Sequence, residues 1–307
     1  MSLFLHIFAY LAIAAFAGAV AFRVKKYLDL PLHVRWELYP VAHEGKKAEY
    51  GGSYMEEVDW WKKPRHKNKI AELTTMGEEI LLLKGVWEKN RSLWYVSYPF
   101  HLGLYLAAAF VGLLVVGAIA GKSFIAAPVH ALTSFIGPLS FVLVLFGSVG
   151  LFRRRMTDEG LKPYNAAGHF VNLILFAVTM IVAILTWLLV DTDFSKARAL
   201  VADLALFRFD TLSGLFALQV FCGFFLLAYI PMTHMAHFFM KYFMWHDIRW
   251  GDEPNIDTPE TDAKIGVVLN YPVSWSASHI AGHGRTTWAE VATFNPALDA
   301  KDDQQPK

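Results

Sequence analysis

Four histidines lie at a similar depth in apolar segments of this 307-residue chain, and their placing suits a flat metal cofactor. His101 is close to the start of one apolar segment, His169 begins another, and His234 and His237 close a third. Residues three apart share roughly one helix face. Ionisable groups inside a membrane are costly and usually face the protein interior, where they have a role. Two imidazoles on facing helices are suitable axial ligands for the iron of haem b.

The pair on the second and last apolar segments fits this chemistry best. His101 is followed by Gly103 and three alanines at 107–109, which we expect to leave room for a macrocycle. Pro231 precedes His237 by six residues and is predicted to bend the last helix toward the bundle. The competing interpretation is that each histidine sits at headgroup depth and has no ligand role.

The composition predicts that the elements carrying these histidines cross a membrane. The chain is 55% hydrophobic and 18% charged, whereas a soluble domain carries about 25% charged residues. A bilayer core of about 30 Å requires about 20 apolar residues in a helix. Five segments meet that requirement: 3–22, 100–120, 132–152, 169–190 and 212–239. The sequence therefore predicts an all-α integral membrane protein, a bundle of five transmembrane helices.

Lysine and arginine predict the direction of the bundle. Of 28 such residues, 24 fall in segments on one side of the predicted membrane: 23–99, 153–168 and 240–307. The positive-inside rule then places the N-terminus outside and the C-terminus in the cytoplasm. The predicted organisation is helix 1 at 1–23, a cytoplasmic loop at 24–99, helices 2–5 at 100–240, and a cytoplasmic tail at 241–307.

Both cytoplasmic segments have features that favour contact with a surface. The loop contains a predicted amphipathic helix with an apolar face made of Leu73, Met76, Ile80, Leu83 and Trp87. That face suits the membrane interface or a partner subunit. The tail is polar, yet it contains Tyr271, Trp275 and Trp288, which is not typical of a disordered linker. We expect the tail to dock on a cytoplasmic partner.

Several function classes are disfavoured by what the sequence lacks. Cys222 is the single cysteine, so the chain can form no internal disulfide and no cysteine-ligated cluster. No basic stripe predicts nucleic-acid binding, and no dinucleotide fingerprint or phosphate loop is present. No catalytic residue is assigned.

Two motifs resemble a known family. The segment 231–237, which reads Pro-Met-Thr-His-Met-Ala-His, resembles the motif that ends the last helix of the gamma (cytochrome b) subunit of membrane-bound respiratory nitrate reductase. The segment 98–103, Tyr-Pro-Phe-His-Leu-Gly, resembles the start of that family's second helix. The resemblance covers roughly 85–245. The loop at 37–61 and the tail at 269–275 look closer to cytochrome b subunits of transmembrane redox complexes in sulfate- and metal-reducing anaerobes.

The resemblance implies specific ligands. His101 and His237 would be the axial ligands of the haem iron on the cytoplasmic side. The family's second haem has its ligands at positions that are Val111 and Gln219 here, and neither supplies an imidazole. One haem b is therefore expected, or two if the second is held differently. His6 and His130, near the outer face, form the alternative pair for that second site.

His169 and His234 are the remaining histidines of the predicted bundle that the resemblance bears on. They are alternative haem ligands, or hydrogen-bond partners of the haem propionates. The propionate role suits His234 in particular, because its position aligns with an arginine of the family motif. For a quinone site, His130 is the candidate on the outer side, and His169 or His234 on the cytoplasmic side.

Together these features predict an electron-transfer subunit of a quinone-linked oxidoreductase complex in the cytoplasmic membrane of a prokaryote. It would exchange electrons between menaquinone or another quinone and a cytoplasmic iron–sulfur partner in anaerobic respiration. The partner would be heterodisulfide-reductase-like, and further membrane or c-type cytochrome subunits would join, beside membrane lipid. The rival interpretations are a haem-free membrane anchor and a transporter. The latter, like a proton channel, predicts broken helices or acidic residues at mid-membrane, and the five predicted spans contain no Asp or Glu.

Overall fold

The computed structural model describes residues 2–29, 57–59, 62–63, 69–121, 123–240, 259–274, 284 and 286–293. The chain divides into two compact units: Met1–Phe22 with Leu73–Phe238, and Arg23–Glu72 with Phe239–Lys307. The tryptophans at 60 and 61, most of the loop at 37–61, and Trp275 in the tail lie outside the described residues.

Helices make up nearly all of the regular structure in the described residues. In chain order they are α1 (Ser2–Leu28), α2 (Lys69–Leu81), α3 (Lys84–Lys89), α4 (Arg91–Ala120), α5 (Ala126–Thr157), α6 (Ala167–Leu189), α7 (Ser195–Ala205), α8 (Gly214–Tyr229), α9 (Pro259–Leu269) and α10 (Trp288–Thr293). Five segments are long and apolar enough to cross a membrane: α1, α4, α5, α6 and the segment Gly214–Met232. The predicted all-α membrane bundle is confirmed, and the chain is a multi-pass membrane protein.

Glycines hold α4 and α5 in close contact. A Cβ atom on Gly147 of α5 would lie 2.6 Å from the Cα of Phe100, and one on Gly103 of α4 would lie 2.7 Å from the backbone nitrogen of Val144. Such small residues let helix backbones approach closely inside a membrane, where lipid offers no hydrophobic driving force for association. Gly103 therefore packs against α5. It was expected to leave room for a macrocycle, but the space beside it is occupied by α5.

Polar side chains tie the start of α4 to the end of α5. The side chain of Asn90 caps α4 by accepting a hydrogen bond from the backbone N–H of Leu93 at 3.1 Å. The guanidinium of Arg154, in the last turn of α5, donates to the hydroxyl of Ser92 at 2.9 Å and pairs with Asp158 at 3.2 Å. We call this end of the bundle, which carries Arg153, Arg154 and Arg155, the basic end.

At the opposite end α1 packs against α7 and α8. The ring of Phe8 stacks on that of Phe221, and the hydroxyl of Tyr10 donates to the backbone oxygen of Leu204 at 2.8 Å. The helix α7 lies in the segment between the fourth and fifth spans, for which no element was predicted. Its N-terminus is capped by the buried carboxylate of Asp191, which accepts from two backbone N–H groups at 2.9 Å.

The predicted amphipathic helix is two helices. It breaks between α2 and α3 at Leu83, which adopts a left-handed conformation with φ of 52°. An ion pair of 2.6 Å between Lys84 and Glu78 spans the break, and this hydrogen bond raises the pKa of the Lys84 ammonium. The hydroxyl of Tyr105 in α4 donates to the backbone oxygen of Ile80 at 2.6 Å, which fixes the end of α2 on the bundle.

The second unit is described only in part. Its tail contains α9, α10 and one antiparallel bridge between Pro272 and Thr287. The side chain of Glu290 accepts from the backbone N–H of Thr287 at 2.7 Å and so caps α10. The tail therefore has local structure around two of its aromatic residues, Tyr271 and Trp288.

We predict that Gly147→Ala lowers the free energy of unfolding by about 2 kcal/mol, because the added methyl group must displace the backbone of α4. Gly112→Ala is the matched control, since a Cβ there meets nothing within 4 Å. That substitution should be neutral or stabilise by about 0.5 kcal/mol through helix propensity. Unfolding in detergent, followed by circular dichroism, measures both. Equal effects of the two substitutions would contradict the packing role of Gly147.

Candidate functional site

The fifth span is interrupted just before its histidines. The helix α8 ends at Tyr229, a 3₁₀ turn follows at Ile230–Met232, and Thr233 is extended before a second turn at His234–Ala236. The break follows Pro231, which has no backbone N–H to continue the helix. The hydroxyl of Thr233 starts the second turn by accepting from the N–H of Met235 at 3.1 Å. The predicted bend is thus a break of the helix.

Because of this break, the four histidines form two separate pairs. The rings of His101 and His237 have their centroids 6.1 Å apart, with an angle of 61° between the planes. The rings of His169 and His234 are 5.2 Å apart and perpendicular. His234 and His237 were predicted to share one face, yet each faces a different helix. The structure therefore brings together all four predicted residues, but not as one set.

Backbone carbonyls fix the tautomers of the first pair. Nδ1 of His101 is 2.8 Å from the backbone oxygen of Ser97, and Nδ1 of His237 is 3.2 Å from that of His234. A carbonyl oxygen only accepts, so each Nδ1 must carry the proton and donate. In a neutral imidazole this leaves the lone pair on Nε2. Both rings thus have a tautomer in which Nε2 can ligate a metal, while Nδ1 is fixed by its hydrogen bond to the backbone.

The arrangement of this pair suits one iron between two imidazoles. The ring centroids lie 6.1 Å apart. In each ring Nδ1 is held by a backbone carbonyl, so Nε2 is the nitrogen that would ligate a metal shared by the two rings. His101 is half-buried and His237 is exposed, so the pair can be approached from outside the bundle. The donor set therefore fits a haem, whose iron takes only two ligands from the protein.

The second pair has the opposite hydrogen-bonding pattern. Nδ1 of His169 accepts from the backbone N–H of Ala166 and from the guanidinium of Arg155, both at 3.2 Å. A neutral His169 must then carry its proton on Nε2, where it can donate but not ligate. This arrangement favours His169 as a hydrogen-bond donor rather than as an iron ligand.

His234 is joined to the bundle by a buried asparagine. The hydroxyl of Tyr229 donates to Oδ1 of Asn172 at 2.7 Å, so the amide nitrogen of Asn172 is the group that lies 3.3 Å from Nε2 of His234. Asn172 is 3% exposed. Sequence reasoning assigned no role to Arg155, Asn172 or Tyr229. The signal for Asn172 was an amide within an otherwise apolar span.

His6 and His130 lie at the end opposite to the basic end and have different neighbours. His6 is fully buried, with Nδ1 2.8 Å from the backbone oxygen of Ser2 and its ring 5.5 Å from that of Phe209. His130 lies beside Gly117. Nε2 of His6 is buried without a hydrogen-bond partner. Among the described residues no hydrogen bond or ring contact joins the two histidines, and a shared second site for them stays a prediction.

A partly open cavity of about 290 Å³ is lined by residues of α4, α5, α6, α7 and α8. Six aromatic side chains form much of its wall: Phe110, Phe141, Trp187, Phe194, Phe216 and Phe224. Val111 and Gln219, the positions that the family resemblance compares with ligands of a second haem, both line it. The oxygen Oε1 of Gln219 is buried and has no hydrogen-bond partner. The cavity thus combines a largely aromatic and aliphatic lining with one amide oxygen that has no hydrogen-bond partner.

Within the described residues, no group of three or more His, Cys, Asp or Glu side chains converges. Two features have side chains suited to binding a cofactor. One is the pair His101 and His237 at the basic end, and the other is the aromatic cavity at the opposite end.

The hydrogen bonds of Asn172 should be measurable. We predict that Asn172→Leu lowers the free energy of unfolding by about 1–2 kcal/mol, because the hydroxyl of Tyr229 loses its acceptor in a buried position. Tyr229→Phe should cost about 0.6 kcal/mol. In the double variant the second substitution should add almost nothing, which a double-mutant cycle by denaturant unfolding tests. Fully additive losses would show that the two side chains do not interact.

No protein-family model, no curated protein and no solved structure matches this chain. Its function must therefore be argued from the geometry of the two histidine pairs and the cavity.

Proposed function

We propose that this chain is the haem b membrane subunit of an anaerobic respiratory complex, exchanging electrons between a quinone pool and a cytoplasmic iron–sulfur partner. One observation carries the proposal: the rings of His101 and His237 lie with their centroids 6.1 Å apart, and each holds its Nδ1 on a backbone carbonyl, which leaves Nε2 as the nitrogen that would ligate iron. The resemblance of the segments 98–103 and 231–237 to the nitrate reductase gamma subunit supports the same pair. When bound, haem b supplies one-electron redox chemistry.

The residues around the pair orient it. The carbonyl oxygens of Ser97 and His234 hold the two rings by Nδ1 and raise the basicity of the ligating nitrogens. The guanidinium of Arg155 and the N–H of His169 are the donors for anionic groups at the edge of a macrocycle, as expected for propionates. His234 then acts through its backbone oxygen and its link to Asn172, rather than as an iron ligand.

The aromatic cavity is the place we assign to the quinone ring, which is menaquinone or another quinone. Aromatic walls suit a flat ring. The amide of Gln219 can donate to a quinone carbonyl and accept from a quinol hydroxyl, so it matches both redox states. His169 and His234, at the basic end, are the alternative site.

The remaining parts of the proposal concern partners and placement. The loop and the tail, which contains α9 and α10, are the segments that would dock a heterodisulfide-reductase-like iron–sulfur subunit. Further membrane or c-type cytochrome subunits would complete the complex. Arg154 and Arg155 in the last turn of α5 favour a cytoplasmic basic end, hence a cytoplasmic C-terminus in a prokaryotic membrane.

A pyridine haemochrome assay on the purified chain tests the ligand pair. We expect one haem b per chain, lost in both His101→Ala and His237→Ala because each removes one axial ligand. His169→Ala and His130→Ala are matched controls that should retain it. Absence of haem from the wild-type protein would refute the proposal and leave a membrane anchor. Two haems would mean that a second pair, such as His6 and His130, also ligates.

The quinone site is tested by titrating the protein with menadione and following tryptophan fluorescence, since Trp187 lines the cavity. We predict that Gln219→Leu weakens binding about fivefold, the equivalent of one net hydrogen bond, and leaves the haem content unchanged. His169→Leu is the control. If His169→Leu weakens binding and Gln219→Leu does not, the ring binds at the basic end instead.

A further inference from the structure

An open groove of about 590 Å³ runs along the outer side of the α4–α5 pair, at the basic end of two helices that are long and apolar enough to cross a membrane. Nine residues line it: Ser92, Val96, Leu145, Phe146, Val149, Gly150, Arg153, Arg154 and Thr157. The apolar residues occupy one end and the arginines the other. Phe146 and Val149 are 56% and 57% exposed, so this face is open to lipid. None of the functions proposed above uses it.

The floor of the groove is a tight helix contact. A Cβ atom on Gly150 would lie 2.7 Å from Cγ1 of Val96, so the backbones of α4 and α5 are close at this level. Phe146 and Val149 stand out beside that contact as one wall. The concave shape is therefore a consequence of helix packing, and it does not depend on mobile loops.

The charge at the mouth of the groove is positive. Arg154 is held by Ser92 and paired with Asp158. The guanidinium of Arg153 is exposed and has no hydrogen bond or ion pair within the described residues. No acidic side chain is among the nine that line the groove. An occupant that brings negative charge to the level of Arg153 would therefore be favoured.

The length of the groove matches one leaflet. Leu145 and Thr157 are twelve residues apart on α5, which is about 18 Å along the helix axis. Half of the hydrocarbon core is about 15 Å, and the remainder reaches the headgroup level. A transmembrane helix of a partner would also cover Phe146 and Val149, but it would offer an anion to Arg153 only if it carried an acidic residue at that level. Anionic lipids are attracted to such juxtamembrane basic residues.

We propose that this groove binds one anionic phospholipid, with an acyl chain along Val96, Phe146 and Val149 and the phosphate at Arg153. A zwitterionic lipid places its own ammonium near its phosphate and so offers Arg153 less net charge. The site is therefore selective for the charge of the headgroup rather than for its shape.

Native mass spectrometry of the purified full chain tests the site with two probes that differ in headgroup, dioleoyl-phosphatidylglycerol and dioleoyl-phosphatidylcholine. We expect one phosphatidylglycerol to be retained in preference to phosphatidylcholine. Arg153→Gln should weaken its retention about fivefold, as for one basic residue at an anionic surface. Val149→Trp should weaken it by filling the groove. Lys26→Gln, which removes an equal charge outside the groove, is the control.

Two results would overturn the proposal. One is equal retention of both lipids by the wild-type chain, which would show that headgroup charge is not selected. The other is phosphatidylglycerol retention that the groove variants do not specifically reduce. Either neither Arg153→Gln nor Val149→Trp would lower it, or Lys26→Gln would lower it as much as they do, and both outcomes would place the lipid elsewhere. Because the two variants change charge and shape independently, a folding defect in one leaves the other as a test. A helix of a second protein as the occupant would appear as an added protein mass with no lipid selectivity.

Discussion

The close contact between α4 and α5 is the constraint on which the histidine site depends. Phe100 has its backbone against Gly147 of α5 and its ring edge-on to Phe176 of α6, so α4 is fixed from two sides. His101 is the next residue, and a step of one residue rotates about 100° around a helix. It is therefore directed away from Gly147, toward the segment that carries His237. Without a residue as small as glycine at 147, α4 would move outward and the spacing of 6.1 Å would not hold.

The break after Pro231 is the second requirement. In an unbroken helix, residues 234 and 237 would lie on one face and compete for the same space. The extended residue Thr233 and the two short 3₁₀ turns rotate them apart. His237 therefore lies against α4, and His234 lies against α6. The backbone oxygen of His234 is thereby placed at the Nδ1 of His237. His234 thus orients His237 through its backbone oxygen, and the two side chains have different neighbours.

Much of this architecture follows from composition, and the rest depends on contacts between distant residues. Hydropathy alone predicted the five spans, because a bilayer demands long apolar helices. Hydropathy missed α7, because this short helix mixes polar and apolar residues. Its N-terminus is capped by the carboxylate of Asp191. Hydropathy could not separate the roles of His169 and His101, which differ only in whether Nδ1 meets a donor or a carbonyl oxygen. The sequence also offers no way to see that Gly103 packs against α5. A small residue can leave space for a cofactor or admit a neighbouring helix, and only the position of that helix distinguishes the two.

The separation of the two chemical features has an energetic consequence under the proposed function. Val111, on the cavity wall, and His101 are ten residues apart on α4, which is about 15 Å along the axis. That is about half of the hydrocarbon core. An electron that moves between the cavity and the histidine pair therefore crosses about half of the membrane potential, worth about 1 kcal/mol per 100 mV. A quinone ring beside His169 and His234 would move almost no charge across the membrane. The position of Gln219, far from the basic end, thus makes the cavity the site at which turnover would be electrogenic.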